Sequence, residues 1–158
     1  MEKTGTGKTY NVMSRRDLNV YRVTGYEHPF DKYLHEDTLL FDEFRSQLPI
    51  SDMLIYLDGY RKTFLSARYN PKTALYNKVF IISNVSLEEQ YQDVQRTSPE
   101  SWDAFLRRID HVERYVGFGE VEVYKSVDDY FAGKCQFHKI TPNDIAENPF
   151  TKGGDSCA

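Results

Sequence analysis

Apolar and polar positions alternate between two periods along this chain, and the changes of period mark out its elements. Residues 19–24, Asn-Val-Tyr-Arg-Val-Thr, are rich in β-branched and aromatic side chains and predict a strand. Thr38-Leu39-Leu40-Phe41, four residues of continuous strand character, runs straight into Asp42-Glu43, the pattern of a parallel strand buried on both faces. Lys78-Val79-Phe80-Ile81-Ile82 predicts a second fully buried strand, ending in Ser83-Asn84. Helices are predicted behind Thr9 as far as Arg16, over residues 49–60 with Ser51 as N-cap and Leu54, Ile55 and Leu57 inside, and from Ser98-Pro99 onward. In the last of these Trp102, Phe105, Leu106 and Ile109 fall at i, i+3, i+4 and i+7, a buried stripe. Ser86-Leu87-Glu88-Glu89 is a capping box, so another helix starts there. Beyond Val112 the pattern weakens. Val121 and Val123 alternate with Glu120 and Glu122 as a half-exposed strand, Ser126 with Asp129 caps a short helix closed near Gly133, and Thr141-Pro142 starts one more turn. Residues 151–158 read as a disordered tail.

Composition narrows the class. At 158 residues, 40% hydrophobic and 15% aromatic, the chain is long and apolar enough for one domain with a core. A net charge of −4 excludes a broad basic field, so any nucleic-acid contact must be local. Cys135 and Cys157 form neither a disulfide framework nor a zinc pattern, and reduced thiols in a cytoplasmic protein are the expectation. His28 and His35 lack a third ligand at metal spacing and read as surface residues, so no protein-bound transition metal is expected. No apolar run reaches membrane-span length, and no membrane partner is expected.

Three stretches carry chemistry. The opening Gly5-Thr6-Gly7-Lys8-Thr9 ends like a phosphate-binding loop: glycines let the backbone bring N–H groups against phosphate oxygens, Lys8 reaches the outer phosphates and the Thr9 hydroxyl suits Mg2+. Glu2 stands where the full pattern has glycine. Asp42 would take Mg2+-bound water and Glu43 would polarise an attacking water as general base. Asn84 could hydrogen-bond both a γ-phosphate and that water. Residues 61–78 hold Arg61, Lys62, Arg68, Lys72 and Lys78 among Phe64, Tyr69 and Tyr76, with no acid. Cations with interleaved aromatics suit a groove for single-stranded nucleic acid, while a solvated hairpin with snorkelling lysines is the other reading. Arg107 and Arg108 lie off the buried stripe and could reach a neighbouring subunit's phosphate.

The order of these motifs resembles the ATPase domain of superfamily-3 helicases, in particular the replication initiator (Rep) proteins of rolling-circle plasmids and small circular single-stranded DNA viruses. The resemblance covers roughly residues 3–115. It implies an α/β P-loop NTPase fold with a mainly parallel sheet flanked by helices. It also implies Walker A at Gly5, Thr6, Gly7, Lys8 and Thr9, Walker B at Asp42 and Glu43, a sensor at Asn84, and an arginine finger at Arg107 or Arg108. ATP and Mg2+ are the implied cofactors. Arg68, Tyr69 and Lys72 correspond to a hairpin that grips single-stranded DNA, and the implied assembly is a homo-oligomeric, hexameric ring. The expected organisation is an ATPase core over residues 1–115, an extension over 116–150 and a tail over 151–158. The strand that feeds Walker A in the family and the HUH nuclease domain have no counterpart in this sequence, so a truncated Rep fragment with poor ATP hydrolysis of its own is expected. A non-catalytic fragment that binds DNA or Rep subunits, a small-molecule kinase and an RNA-virus helicase of the same superfamily are the alternatives.

Overall fold

The computed structural model describes residues 6–59, 63–117, 119–139 and 155–156. In chain order these form α1 (Lys8–Met13), β1 (Val20–Val23), β2 (Thr38–Phe41), α2 (Ile50–Tyr56), β3 (Phe64–Leu65), β4 (Lys72–Thr73) and β5 (Lys78–Ile81). A 3₁₀ turn (Leu87–Glu89) follows, then α3 (Gln92–Thr97), α4 (Pro99–Leu106), β6 (Val112–Gly117), β7 (Glu120–Tyr124), α5 (Val127–Phe131), β8 (Gln136–Lys139) and β9 (Asp155–Ser156). The fold is mixed α/β with a small parallel sheet flanked by helices. Its residues divide into two compact units, 17–108 on the one hand and 1–16 with 109–158 on the other.

In the 17–108 unit the sheet order is β1-β2-β5, all parallel. All four residues of β2 are buried, because the middle strand of a parallel sheet is covered on both faces. The Phe41 ring packs against Tyr26, Phe30, Phe44 and Tyr56, so aromatic side chains from loop and helix close over the strand. β5 differs from the expected fully buried strand: Lys78 is exposed and Val79, Phe80 and Ile81 are half-buried. It lies at one end of the strand order, and burial falls off at an edge.

The helices depart from expectation in detail. α2 takes Pro49, not Ser51, at its N-cap and ends at Tyr56. Its buried positions are Met53 and Tyr56, while Ile55 is half exposed at 50% and Leu54 and Leu57 are intermediate. The larger Tyr56 ring, edge-on to Phe30 and stacked with Phe41, sets the helix rotation that an all-aliphatic count misses. The capping box is present, with Ser86 N–H and Oγ both donating to Glu89 Oε2 at 3.2 and 3.0 Å, but it starts a 3₁₀ turn. The α-helix α3 then begins after Tyr91, whose φ is +50°. In α4 Pro99 occupies the first position, and Trp102 and Phe105 are buried. Ile109 lies beyond the end of the helix, so the stripe is one turn shorter than its spacing suggests.

In the other unit β6, β7, β8 and β9 form an antiparallel sheet in that order. β6 and β8 were not legible in the weakened pattern. α5 is capped as expected, Asp129 N–H donating to Ser126 Oγ at 3.1 Å, and Gly133 follows with φ +70°. Asn11 of α1 donates to the Tyr115 hydroxyl of β6 at 2.8 Å, tying that helix to the sheet. Asp155–Ser156 pairs with β8 rather than belonging to a structureless tail. Cys135 is disulfide-bonded, not reduced, and Cys157 lies outside the described residues. Gly5, Arg61, Lys62, Thr141-Pro142 and the rest of the tail also lie outside them.

Candidate functional site

The register of the parallel sheet places two of the chemical stretches side by side. Phe41 pairs with Ile81, Ile82 N–H donates to Phe41 O at 2.8 Å, and Phe44 N–H donates back to Ile82 O at 2.8 Å. Asp42-Glu43 and Ser83-Asn84 therefore leave neighbouring strands at the same carboxyl-end edge, where open parallel sheets bind ligands. The turn after Asp42 is tight. Glu43 and Ser46 have φ of +51° and +58°, and Glu43 is exposed. Asp42 Oδ1 accepts from Glu43 N–H at 3.0 Å, and Gln47 Nε2 donates to Glu43 O at 3.0 Å. These bonds hold a conformation that non-glycine residues rarely adopt.

Two residues that sequence reasoning did not single out organise this edge. Gln90, buried, donates from Nε2 to Ser83 Oγ at 2.9 Å and to the carbonyls of Phe44 and Val85, and its Oε1 accepts from Ser46 Oγ at 2.6 Å. It joins the Asp42 turn to the end of β5. Arg22 reaches Asp42 from β1, with Nε and Nη2 at 2.7 and 2.5 Å from Oδ2. Arg22 pairs with Leu40 in register, and Leu40 and Asp42 share a face at period two, so the two side chains are diagonal neighbours. A lone arginine in an apolar strand was the available signal, but strand neighbours are not readable from one sequence.

Tyr26 completes the edge. Its hydroxyl donates to Asp42 O at 2.6 Å, and burial, with the Asp42 and Glu43 charges, pushes its ionisation well above the ordinary phenol value. It is a neutral donor at any physiological pH.

Lys8 and Thr9 stand in the other unit, at the start of α1 and half-buried. Gly7 before them has φ +85°, a left-handed turn that glycine makes without strain. Thr6 is buried, and its Oγ1 has no hydrogen-bond partner among the described residues. Such a hydroxyl costs about 1–3 kcal/mol if left unmatched, and a phosphate oxygen is one group that would satisfy it.

The basic segment forms the β3–β4 hairpin, Phe64 pairing with Thr73 and Leu65 with Lys72. Two of its cations, Arg68 and Lys72, are engaged within the chain. Lys72 Nζ donates to the carbonyls of Asp31 and Tyr33, each at 2.7 Å, and Arg68 pairs with Asp31. Tyr69 is 84% exposed, with the Arg68 guanidinium 5.7 Å from its ring centre. Arg107 is the C-cap residue of α4, and Arg108 donates to Ala104 O at 2.9 Å. Both stand at the helix end rather than on its packed body.

The donors available to a divalent cation can be tested at Asp42. Oδ2 faces a guanidinium and Oδ1 a backbone N–H, so the carboxylate as arranged does not fit Mg2+ while Arg22 is in place. Compared with known families and characterised proteins, the chain matches no family model and no curated protein. Among the described residues no group of three or more His, Cys, Asp or Glu could hold a metal ion, and no helix is long and apolar enough to cross a membrane.

Proposed function

We propose that the chain is the nucleotide-binding module of a P-loop ATPase of the superfamily-3 helicase type, working on single-stranded DNA within a homo-oligomeric ring of Rep subunits. The observation that carries the reading is the shared edge of β2 and β5, from which Asp42-Glu43 and Ser83-Asn84 emerge side by side. A carboxylate pair beside an amide, at the carboxyl end of parallel strands, is what positioning and polarising a water against a terminal phosphate requires. Gly7 in a left-handed turn before Lys8-Thr9, with the unmatched Thr6 hydroxyl beside them, supports a phosphate at the chain's opening. ATP is the nucleotide proposed, and Lys8 its phosphate contact.

The Arg22–Asp42 ion pair favours a second reading, a fragment that binds nucleotide, DNA or Rep subunits but turns ATP over poorly by itself. ATP binding to the wild type and to Lys8→Ala, followed by calorimetry, tests the first statement. A loss of about tenfold or more in affinity on removing Lys8 is expected. Equal affinities would refute nucleotide binding through this loop. Turnover by the purified chain that single-stranded DNA stimulates strongly would refute the second reading.

A further inference from the structure

We propose that Cys135 and Cys157 form a redox latch: their disulfide pins β9 onto the edge of β8, and reduction lets β9 go. Cys135 is held in a disulfide, no cysteine among the described residues is free, and the sequence has one other cysteine, Cys157. The strand register points to the same pairing. Gln136 faces Ser156 and Phe137 faces Asp155 in an antiparallel ladder, so one step outward position 135 falls opposite position 157. Residues directly opposite in such a ladder stand about 4.5–5.5 Å apart at Cα, within the span that a disulfide bridges.

The two strands are held unequally. β8 pairs with β7 along its whole length, and its approach is anchored where Gly133 N–H donates to Tyr130 O at 3.1 Å and Lys134 N–H to Asp129 O at 2.8 Å. β9 is two residues long, lies last in the strand order and pairs with β8 alone. Residues 140–154 separate it from β8 in the chain. Pairing it costs the entropy of closing that loop, which so short a ladder does little to offset. The disulfide closes the same loop covalently and removes most of that cost. The bond, rather than the ladder, therefore keeps β9 in place. Cys135 is half-buried between exposed Lys134 and Gln136, within reach of an attacking thiolate. A dithiol supplies two electrons and two protons: the S–S bond breaks, two thiols form, and the dithiol closes to its own disulfide. The outward edge of β8 is then bare, a state that a reducing compartment permits and an oxidising one prevents.

Amide hydrogen exchange of the full chain, first oxidised and then treated with dithiothreitol, tests this. No nucleotide is needed, so the outcome is independent of the proposed ATP site. Oxidised protein should show no reactive thiol and a protected β8–β9 ladder. Reduction should speed exchange in that ladder about tenfold or more and leave the β6–β7 ladder unchanged. Cys135→Ser should exchange like reduced wild type and ignore dithiothreitol; should it fail to melt cooperatively, Cys157→Ser takes its place. Ladder protection that survives reduction of the wild type would overturn the inference, as would a response to dithiothreitol that persists in the variant. A disulfide that links two chains instead of closing within one, seen as a dimer on non-reducing gels, would do the same.

Discussion

Arg68 holds Asp31 at two points, its backbone N–H 3.0 Å from Oδ1 and its Nε 2.7 Å from Oδ2. With Lys72 on the carbonyls of Asp31 and Tyr33, this clasp ties the β3–β4 hairpin to the loop after β1. Arg68→Ala and Asp31→Ala should each lower the melting temperature, and the double variant should fall no further than the worse single one. Additive losses would show the pair to be uncoupled. The Arg68 N–H and guanidinium also hold the Asp31 carboxyl below its ordinary value of 3.8. A depressed carboxyl stabilises the fold above that value, and the contribution disappears as pH falls through the lower folded one. Acid unfolding of Asp31→Asn should thus lack that component below about pH 4.

Gln90 bonds to Ser46, Ser83, Phe44 and Val85 from a buried position. Gln90→Leu keeps apolar volume but leaves those groups unmatched, a cost of about 1–3 kcal/mol for each that water cannot reach. Urea denaturation should show a loss of at least that size. A loss near zero would mean that the Ser46 and Ser83 turns rearrange to bond elsewhere.

Much of the sheet was legible because β2 has a single reading: Thr38 and three large apolar residues, then acids, is a pattern that a half-exposed strand does not produce. The caps of α4 and α5 were legible for a local reason, since Pro99 and the Ser126–Asp129 pair act within a few residues of themselves. What failed depended on neighbours distant in sequence. The rotation of α2 is set by aromatic rings from other segments, and the edge position of β5 by strand order. Arg22 meets Asp42 through a register that no single sequence states. Arg68 and Lys72 looked like free cations because Asp31, their partner, lies 37 residues before Arg68 in sequence.

Phe41 and Ile55 should respond to truncation by very different amounts. Phe41 is fully buried and touches four other rings, so Phe41→Ala should cost about 3–5 kcal/mol. Ile55 is 50% exposed, so Ile55→Ala should stay within about 0.5–1 kcal/mol of wild type. Denaturant midpoints decide the matter. A loss at Ile55 comparable to that at Phe41 would return the buried face of α2 to the one its aliphatic spacing suggests.

His111 gives the unit of residues 1–16 and 109–158 a pH dependence of opposite sign to that of Asp31. Its Nε2 lies 3.3 Å from Glu113 Oε1. The hydrogen bond to Glu113 raises the imidazole above its ordinary value of 6.5, against partial burial, which pulls it down. The folded state thus holds the proton more tightly than the unfolded chain. The resulting stabilisation is complete below 6.5 and is lost as pH rises through the higher folded value. Solvent screens the pair, whose histidine side chain is 47% exposed, so the effect on unfolding should be small and best seen by difference. Wild type should exceed His111→Gln in denaturant midpoint at about pH 5.5 and match it at about pH 8.5. Proton NMR gives the sharper reading, with the His111 imidazole titrating above 6.5 in the wild type and moving down in Glu113→Gln. A midpoint that ignores the loss of Glu113 would show the hydrogen bond to be without weight in solution.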